Sequence, residues 1–316
     1  MVNVDQIKKI TVVGTGIMGP DIALGFAMAG YEVTVLDLEQ AILDRAAQKI
    51  ALNCRQMVEE HMFGEEEAAQ IQSRIRLTLA WEEAVSGADY ITEAVPEVME
   101  TKKEVFKRCD ALCPQEVVIA SNTSSMSITE IASGMRYPQR AITTHWVIPA
   151  HLSPTVEVIC GEQTSDATAE LTLSLLKKAG KFPVPCKDSP GFIHNYVQLA
   201  MVKAALDLLE REIATPEGID TVIRNGFGLR LSSVGPIKFV DMGGLDTVLK
   251  VQNYLYEMTK DPMYKPSRSI RERVKRGDLG AKTGRGFYEY SVDDTEKLRK
   301  ETNRSIIKIR QALKEN

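Results

Sequence analysis

The stretch Ile10-Thr11-Val12-Val13-Gly14-Thr15-Gly16-Ile17-Met18-Gly19, continued by Ile22, Ala23, Phe26 and Ala27, decides the fold. An apolar β-branched run, a glycine-rich turn and an apolar stretch at helical spacing read as strand, tight turn and helix. Each glycine has a mechanical task in such a turn. Gly14 permits the sharp reversal, Gly16 lets backbone approach a pyrophosphate, and Gly19 lets the helix pack on the strand. The helix start then aims N–H groups and a positive dipole end at phosphate. Tyr31 to Leu36 alternates as a second strand and ends at Asp37, 23 residues after Gly14. A carboxylate there suits the ribose hydroxyls of an adenosine and repels a 2′-phosphate. Leu38-Glu39 adds negative charge and no arginine. The pattern points to NAD rather than NADP; the competing reading is a strand–turn–helix without a ligand.

Outward from this turn, strands and helices alternate. Strands are expected at 9–13, 32–36, 89–92, 116–121, 141–145, 155–160 and 182–186, with helices at 39–63, 65–73, 100–111, 127–133 and 166–179. That alternation predicts an α/β fold with a Rossmann-type, doubly wound, mostly parallel sheet. After residue 187 the pattern changes to helix alone. The expected organisation is an NAD-binding domain over 1–187 and an all-α C-terminal domain over 188–316 for substrate and dimerisation. Asp188-Ser189-Pro190-Gly191 is the expected hinge. Phe192 to Ile213 is apolar on most faces, which predicts burial at the centre of a helical domain or in a subunit interface. Such a helix would fit a twofold interface. Thr215-Pro216-Glu217 reads as a helix start. Leu298, Ile306, Ile309 and Leu313 mark an amphipathic terminal helix from Glu296.

The 316 residues are 44% apolar and 26% charged, an ordinary balance for a globular chain of about two domains. A net charge of −4 offers no footprint for nucleic acid. Cys54, Cys109, Cys113, Cys160 and Cys186 are odd in number and lack a CxxC, as expected of reduced, mostly buried thiols in a cytoplasmic protein. The opening MVNVDQIKKI has no long apolar core, so no signal peptide is expected, and no run is long enough for a membrane span. No ligand set with zinc spacing occurs, so no metal is expected.

Oxidation of an alcohol by NAD needs a base for the hydroxyl proton, and histidine suits neutral pH. Of four histidines, His61 lies in a Glu-rich helix and reads as solvated surface. His145 ends the strand Ala141-Ile142-Thr143-Thr144, and ligands bind at the carboxyl ends of strands in open α/β sheets. Glu157, inside the apolar strand Thr155 to Ile159, needs a partner. A histidine would suit: the carboxylate orients the ring and favours its protonated form. The alternative is a satisfied core histidine and an edge-strand charge. Ser121-Asn122-Thr123-Ser124-Ser125 ends another strand, and its small polar side chains can contact ligand, cap the next helix, or both.

Eight ordered motifs together resemble the L-3-hydroxyacyl-CoA dehydrogenase family over nearly the full length. They are VVGTGIMGPDIA (12–23), EAVPEVMETK (93–102), SNTSS (121–125), TH (144–145), TVEVICG (155–161), KDSPGFIHN (187–195), GPIKFVDMGGLDT (235–247) and KTGRGFYEY (282–290). The resemblance implies that His145 and Glu157 carry the proton transfer and that Ser124 and Asn195 contact the substrate. It implies cofactor contacts at Gly14, Gly16, Gly19, Asp37, Glu97, Lys102 and Asn122. It also implies pairing of two copies through the helical domain.

Two departures bear on substrate. The family follows its histidine with a Phe-Phe-Asn-Pro-like run, whereas this chain has Trp146-Val147-Ile148-Pro149, so Ile148 stands where an amide is expected near the reacting carbonyl. The loop Gly226 to Val234 is longer than in fatty-acyl members and carries Arg230, which resembles relatives that oxidise free hydroxy acids such as L-gulonate and carnitine. A guanidinium binds a carboxylate through two parallel hydrogen bonds, which a thioester would not use; the alternative for Arg230 is an arginine paired to an acid. The leading expectation is an NAD-dependent dehydrogenase of an L-3-hydroxyacyl-CoA. The second is a dehydrogenase of a free 3-hydroxy acid. The third is a structural protein that retains NAD binding without catalysis.

Overall fold

The computed structural model describes residues 3–313. Eight strands form one sheet: β1 (Lys9–Val13), β2 (Glu32–Leu36), β3 (Ile75–Thr78), β4 (Tyr90–Glu93), β5 (Val118–Ser121), β6 (Ala141–Trp146), β7 (Thr155–Cys160) and β8 (Phe182–Lys187). Their order is β3-β2-β1-β4-β5-β6-β7-β8. All neighbouring pairs are parallel except β6 with β7, so β7 and β8 run against the rest. The first six strands have the doubly wound Rossmann order, whose direction of winding reverses between β1 and β4. All seven expected strands form. β3 is additional: a four-residue edge strand with Arg76 exposed, too short and too polar to show in the apolar pattern.

Helices α1 (Gly19–Met28), α2 (Gln40–Glu59), α3 (Glu65–Ser73), α4 (Trp81–Ser86), α5 (Met99–Leu112), α6 (Ile128–Ile131) and α7 (Asp166–Lys178) fill the crossovers. Strand side chains alternate between faces. Ile10, Val12, Val33, Val35, Tyr90 and Val118 join one apolar cluster with residues of α1, α2, α3 and α7. Val13, Leu36, Ile91 and Ile119 join a second with residues of α4, α5 and α6. Apart from its edge strands β3 and β8, the sheet is thus covered on both faces, as a parallel sheet requires. α2 ends at Glu59, short of the expected 63, and exposed His61 lies beyond it with φ 59°.

By internal contacts the chain divides into Met1–Met201 and Val202–Asn316. The division falls inside α8 (His194–Glu210). None of the described residues of α8 is buried, and Tyr196, Leu199 and Leu206 are 70%, 63% and 51% exposed. Of the two settings expected for this helix, the centre of a helical domain or a subunit interface, burial within its own chain is not observed.

The second unit is helical: α9 (Pro216–Val222), a π-helical turn (Ile223–Gly228), α10 (Leu229–Leu231), α11 (Pro236–Gly243), α12 (Leu245–Thr259), α13 (Arg268–Arg276) and α14 (Val292–Ala312). Thr215 caps α9 by accepting from Gly218 N. Residues 226–231, expected as loop, continue the helical path out of α9. Buried Asp241 organises the unit, accepting from Phe287 N (3.0 Å), Tyr288 N (2.9 Å) and the Tyr290 hydroxyl (3.1 Å). Leu298, Ile306 and Ile309 are half-buried along α14, which starts at Val292. The five cysteines are free; Cys54, Cys109 and Cys113 are buried. Among the described residues no helix is long and apolar enough to cross a membrane.

The glycine turn shows its constraints directly. Gly14 has φ +98°, and a Cβ there would stand 2.8 Å from the Ala94–Val95 backbone. A Cβ on Gly19 would overlap the Gly14 carbonyl oxygen, whereas one on Gly16 would meet nothing within 4 Å. Gly19→Ala is expected to lose about 1–3 kcal/mol or more to overpacking. Gly16→Ala is expected to keep its stability within about 0.5 kcal/mol and to weaken NADH binding instead. Thermal unfolding beside NADH fluorescence titration separates the two effects.

Candidate active site

The carboxyl ends of β1, β4, β5 and β6 surround a cleft of about 890 Å³ lined by Gly16, Glu97, Asn122, Ser124, His145 and Asn195, among others. At β1, Asp37 closes the glycine turn: its Oδ2 accepts from Thr15 N (2.7 Å) and Thr15 Oγ1 (2.6 Å), and its Oδ1 from Leu38 N (2.7 Å). No side chain caps the first turn of α1. Uncapped N–H groups, the open space over Gly16 and the carboxylate ending β2 fit a dinucleotide, with its phosphates at the helix start and its ribose at Asp37.

A carboxylate network lies where β4 and β5 end. Glu93 is fully buried and accepts from Lys102 Nζ (2.8 Å), Ser121 Oγ (2.6 Å) and Val95 N (2.7 Å). Burial pushes its carboxyl up, against those three donors. Lys102 is 1% exposed and also lies 3.2 Å from Glu97. Glu97 accepts from Thr123 Oγ1 (2.6 Å), Ser124 N (2.9 Å) and Ser125 Oγ (3.1 Å). Burial would raise the Glu97 carboxyl, but the Thr123 hydroxyl, the Lys102 ammonium and the Ser124 N–H hold it below its ordinary value. Lys102 thus lies beneath the cleft and fixes the loop that presents Glu97. Asn122 ties three strand ends together: its N–H donates to Glu93 O (2.8 Å) and its Oδ1 accepts from Trp146 N (2.9 Å).

At β6, His145 stands directly opposite Glu157 in the antiparallel register. His145 Nδ1 is 2.7 Å from Glu157 Oε2, and both residues are buried. Glu157 Oε1 accepts from Ile193 N (2.8 Å) and His194 N (3.0 Å) at the entry to α8. Burial would raise the Glu157 carboxyl; the bonds from His145, His194 and Ile193 outweigh it and hold the group below its ordinary value. The carboxylate therefore stays ionised, and Nε2 is left as the ring nitrogen available to a ligand. Asn195 Nδ2 donates to Ser124 O (3.1 Å), which places both side chains at one cleft wall.

Trp146 packs into the core, its ring 5.1 Å from that of Phe26, while Val147 and Ile148 line the cleft. Lys181, 7% exposed, donates to Ala150 O and Ser153 O, both at 2.8 Å, and lies 5.1 Å over the Trp146 ring. Burial drops its ammonium to about 8. Glu93, Lys181 and His194 carried no legible signal as isolated residues, because their roles depend on burial and on strand neighbours. Arg230 lies in the second unit, its guanidinium 3.9 Å over the Phe239 ring. Its Nε is buried and has no hydrogen-bond partner among the described residues. Among those residues no acid pairs with it, and no group of three His, Cys, Asp or Glu is placed to hold a metal ion.

A Rossmann sheet whose first turn accepts a dinucleotide, with polar side chains gathered beyond it at the strand ends, defines an NAD-dependent oxidoreductase. Residues 9–189 match the family model for the NAD-binding domain of 3-hydroxyacyl-CoA dehydrogenase, and residues 191–290 match that for its C-terminal domain. A probable 3-hydroxybutyryl-CoA dehydrogenase of Bacillus subtilis is 38% identical over 285 residues, covering 90% of this chain and 98% of its own length. A 5-formyl-3-hydroxy-2-methylpyridine 4-carboxylate 5-dehydrogenase of Mesorhizobium japonicum is 33% identical over 310 residues, covering 98% and 99%. The crystal structure of a 3-hydroxyacyl-CoA dehydrogenase from Archaeoglobus fulgidus superposes with a TM-score of 0.80 at 29% identity, covering 96% and 99%. The chain belongs to the 3-hydroxyacyl-CoA dehydrogenase family.

Lys102→Met would strand the Glu93 carboxylate in the interior, an expected loss of about 3–5 kcal/mol by denaturant unfolding. Adding Glu93→Gln is expected to recover part of it. Lys181 supplies a pH signature. Its folded value of about 8 lies below the unfolded value of about 10.4, so the unfolded chain holds more protons between them and stability rises with pH there. The stability difference between the wild type and Lys181→Met is expected to shift in favour of the wild type from pH ~8 to ~10; a difference independent of pH would exclude a depressed ammonium.

Proposed function

We propose that the protein interconverts an L-3-hydroxyacyl-CoA and the corresponding 3-ketoacyl-CoA. The observation that carries this reading is the buried 2.7 Å contact of His145 Nδ1 with Glu157, which leaves Nε2 uncommitted on a residue that lines the cleft at the strand ends. Gly14, Gly16, Gly19, Asp37, Glu97, Lys102 and Asn122 hold or shape the NAD site, Lys102 acting through Glu97. NAD supplies the hydride acceptor for the substrate carbon. His145 takes the hydroxyl proton at Nε2, and Glu157 keeps the ring oriented and stabilises its positive charge. In the reverse direction His145 returns that proton to the carbonyl oxygen. Ser124 and Asn195 hydrogen-bond the substrate oxygens. The outward apolar residues of α8 support pairing of two copies as a homodimer.

A second reading is favoured by Arg230 and by one relative. The Mesorhizobium enzyme aligns over 98% of the chain, and its name carries a free carboxylate. A guanidinium on an aromatic ring, with Nε unpartnered, can receive a carboxylate. Under this reading the substrate is a free 3-hydroxy acid and Arg230 is its clamp.

NADH oxidation with acetoacetyl-CoA, run beside free acetoacetate and other free 3-keto acids, separates the readings. Turnover with the thioester alone supports the acyl-CoA reading; turnover with the acids alone supports the second, and Arg230→Leu then raises KM. His145→Gln is expected to cut turnover by roughly 100- to 10,000-fold with NADH binding retained. Unchanged turnover in that variant removes His145 from the chemistry.

A further inference from the structure

His145 is one of two imidazoles in the cleft. His194, the first residue of α8, lines the same cavity, with its ring centroid 6.1 Å from that of His145. The two residues share an anchor. Glu157 holds the His145 ring through Oε2 and the His194 backbone N–H through Oε1. The two rings nevertheless differ. His145 has committed Nδ1 to a carboxylate, whereas the ring of His194 makes no hydrogen bond among the described residues. His194 is half-buried, so its ring is neither a satisfied core group nor a freely solvated one.

The opposite requirement arises at residue 148. Ile148 lines the cleft and is 65% exposed, so it presents hydrocarbon to whatever occupies the cleft. Val147 beside it is apolar as well. A β-hydroxycarbonyl substrate has a second oxygen beyond the one that His145 serves. That oxygen is costly to desolvate against an apolar wall without a donor. An imidazole with an uncommitted N–H can donate to it, whether it is a carbonyl or a carboxylate oxygen.

We propose that His194 is a specificity-determining substrate contact, supplying through its ring N–H the hydrogen bond that Ile148 cannot make. The proposal rests on the reading of His145 as the proton-transfer residue. Both rings then address one substrate: His145 at the oxygen on the carbon that is oxidised, His194 at the neighbouring carbonyl or carboxylate oxygen.

The test uses the fact that the chain has four histidines, few enough to assign individually by NMR. The whole protein is saturated with NAD and titrated with acetoacetyl-CoA, then separately with acetoacetate. Shifts of both the His145 and the His194 ring signals with either probe support the proposal. Shifts of His145 without His194 overturn it and leave the proposed function standing. If neither ring responds to either probe, the proposed function fails and this contact fails with it. In kinetics, His194→Leu is expected to raise KM about three- to tenfold, the size of one lost hydrogen bond, with kcat changed less and with NADH affinity and melting temperature unchanged. His194→Asn is expected to restore part of the loss. A variant that weakens NADH binding instead would assign the ring to the cofactor and overturn the proposal.

Discussion

A carboxylate at 2% exposure must be satisfied by its neighbours, and Glu157 draws its three donors from two separate elements. One is the His145 ring, opposite it across the sheet; the others are the N–H groups of Ile193 and His194 at the entry to α8. Pairing across antiparallel strands brings residues at matching register close together, and a one-residue slip would send the two side chains to opposite faces. The sheet register is therefore what makes the pair. The helix entry is bent to suit: Gly191 has φ +78° and Phe192 φ +48°. Positive φ at a bulky residue costs roughly 1–2 kcal/mol, and two hydrogen bonds to an ionised carboxylate, each worth about 1.5–3 kcal/mol, offset it.

The other half of the cleft depends on the reversal of winding between β1 and β4. The loops after these strands diverge around a crevice, and Gly14 is packed so tightly on Ala94 and Val95 that a side chain would not fit. Asn122 then carries the connection from β4 to β6 through Glu93 O and Trp146 N. The Glu93–Lys102 pair sits beneath, dry and fully bonded, and fixes the loop bearing Glu97. A buried ion pair contributes little net stability once desolvation is counted, but its loss on one side is expensive. That asymmetry keeps the loop in one arrangement.

Much of this was legible in residue patterns because the causes are local. The strands inside the sheet were readable since both faces of a covered sheet demand apolar runs, and β3 was not, since a short, half-exposed edge strand carrying Arg76 has no such demand. Gly14, Gly16 and Gly19 each answer a steric requirement within ten residues of chain. His145 and Glu157 could be paired as a chemical need, but spacing alone left a core histidine and a stray charge as an equal alternative. The same local logic left two covers for α8, its own helical domain or a subunit interface, because an all-round apolar helix reads as buried without saying which surface covers it. Residues 226–234 read as a loop by comparison with the shorter turn of fatty-acyl members, yet the backbone stays helical as far as Leu231.

The sequence by itself determined the Rossmann class, the NAD-type first turn and the family, because spacing, glycine sterics and ordered motifs operate along the chain. Only the tertiary structure decided that Glu157 faces His145, that Lys102 works from beneath Glu97, that Lys181 holds the segment after Trp146, and that His194 shares the cleft with an uncommitted ring. Those facts depend on strand register and on which side chains lose water, and both are set by contacts between residues far apart in the chain.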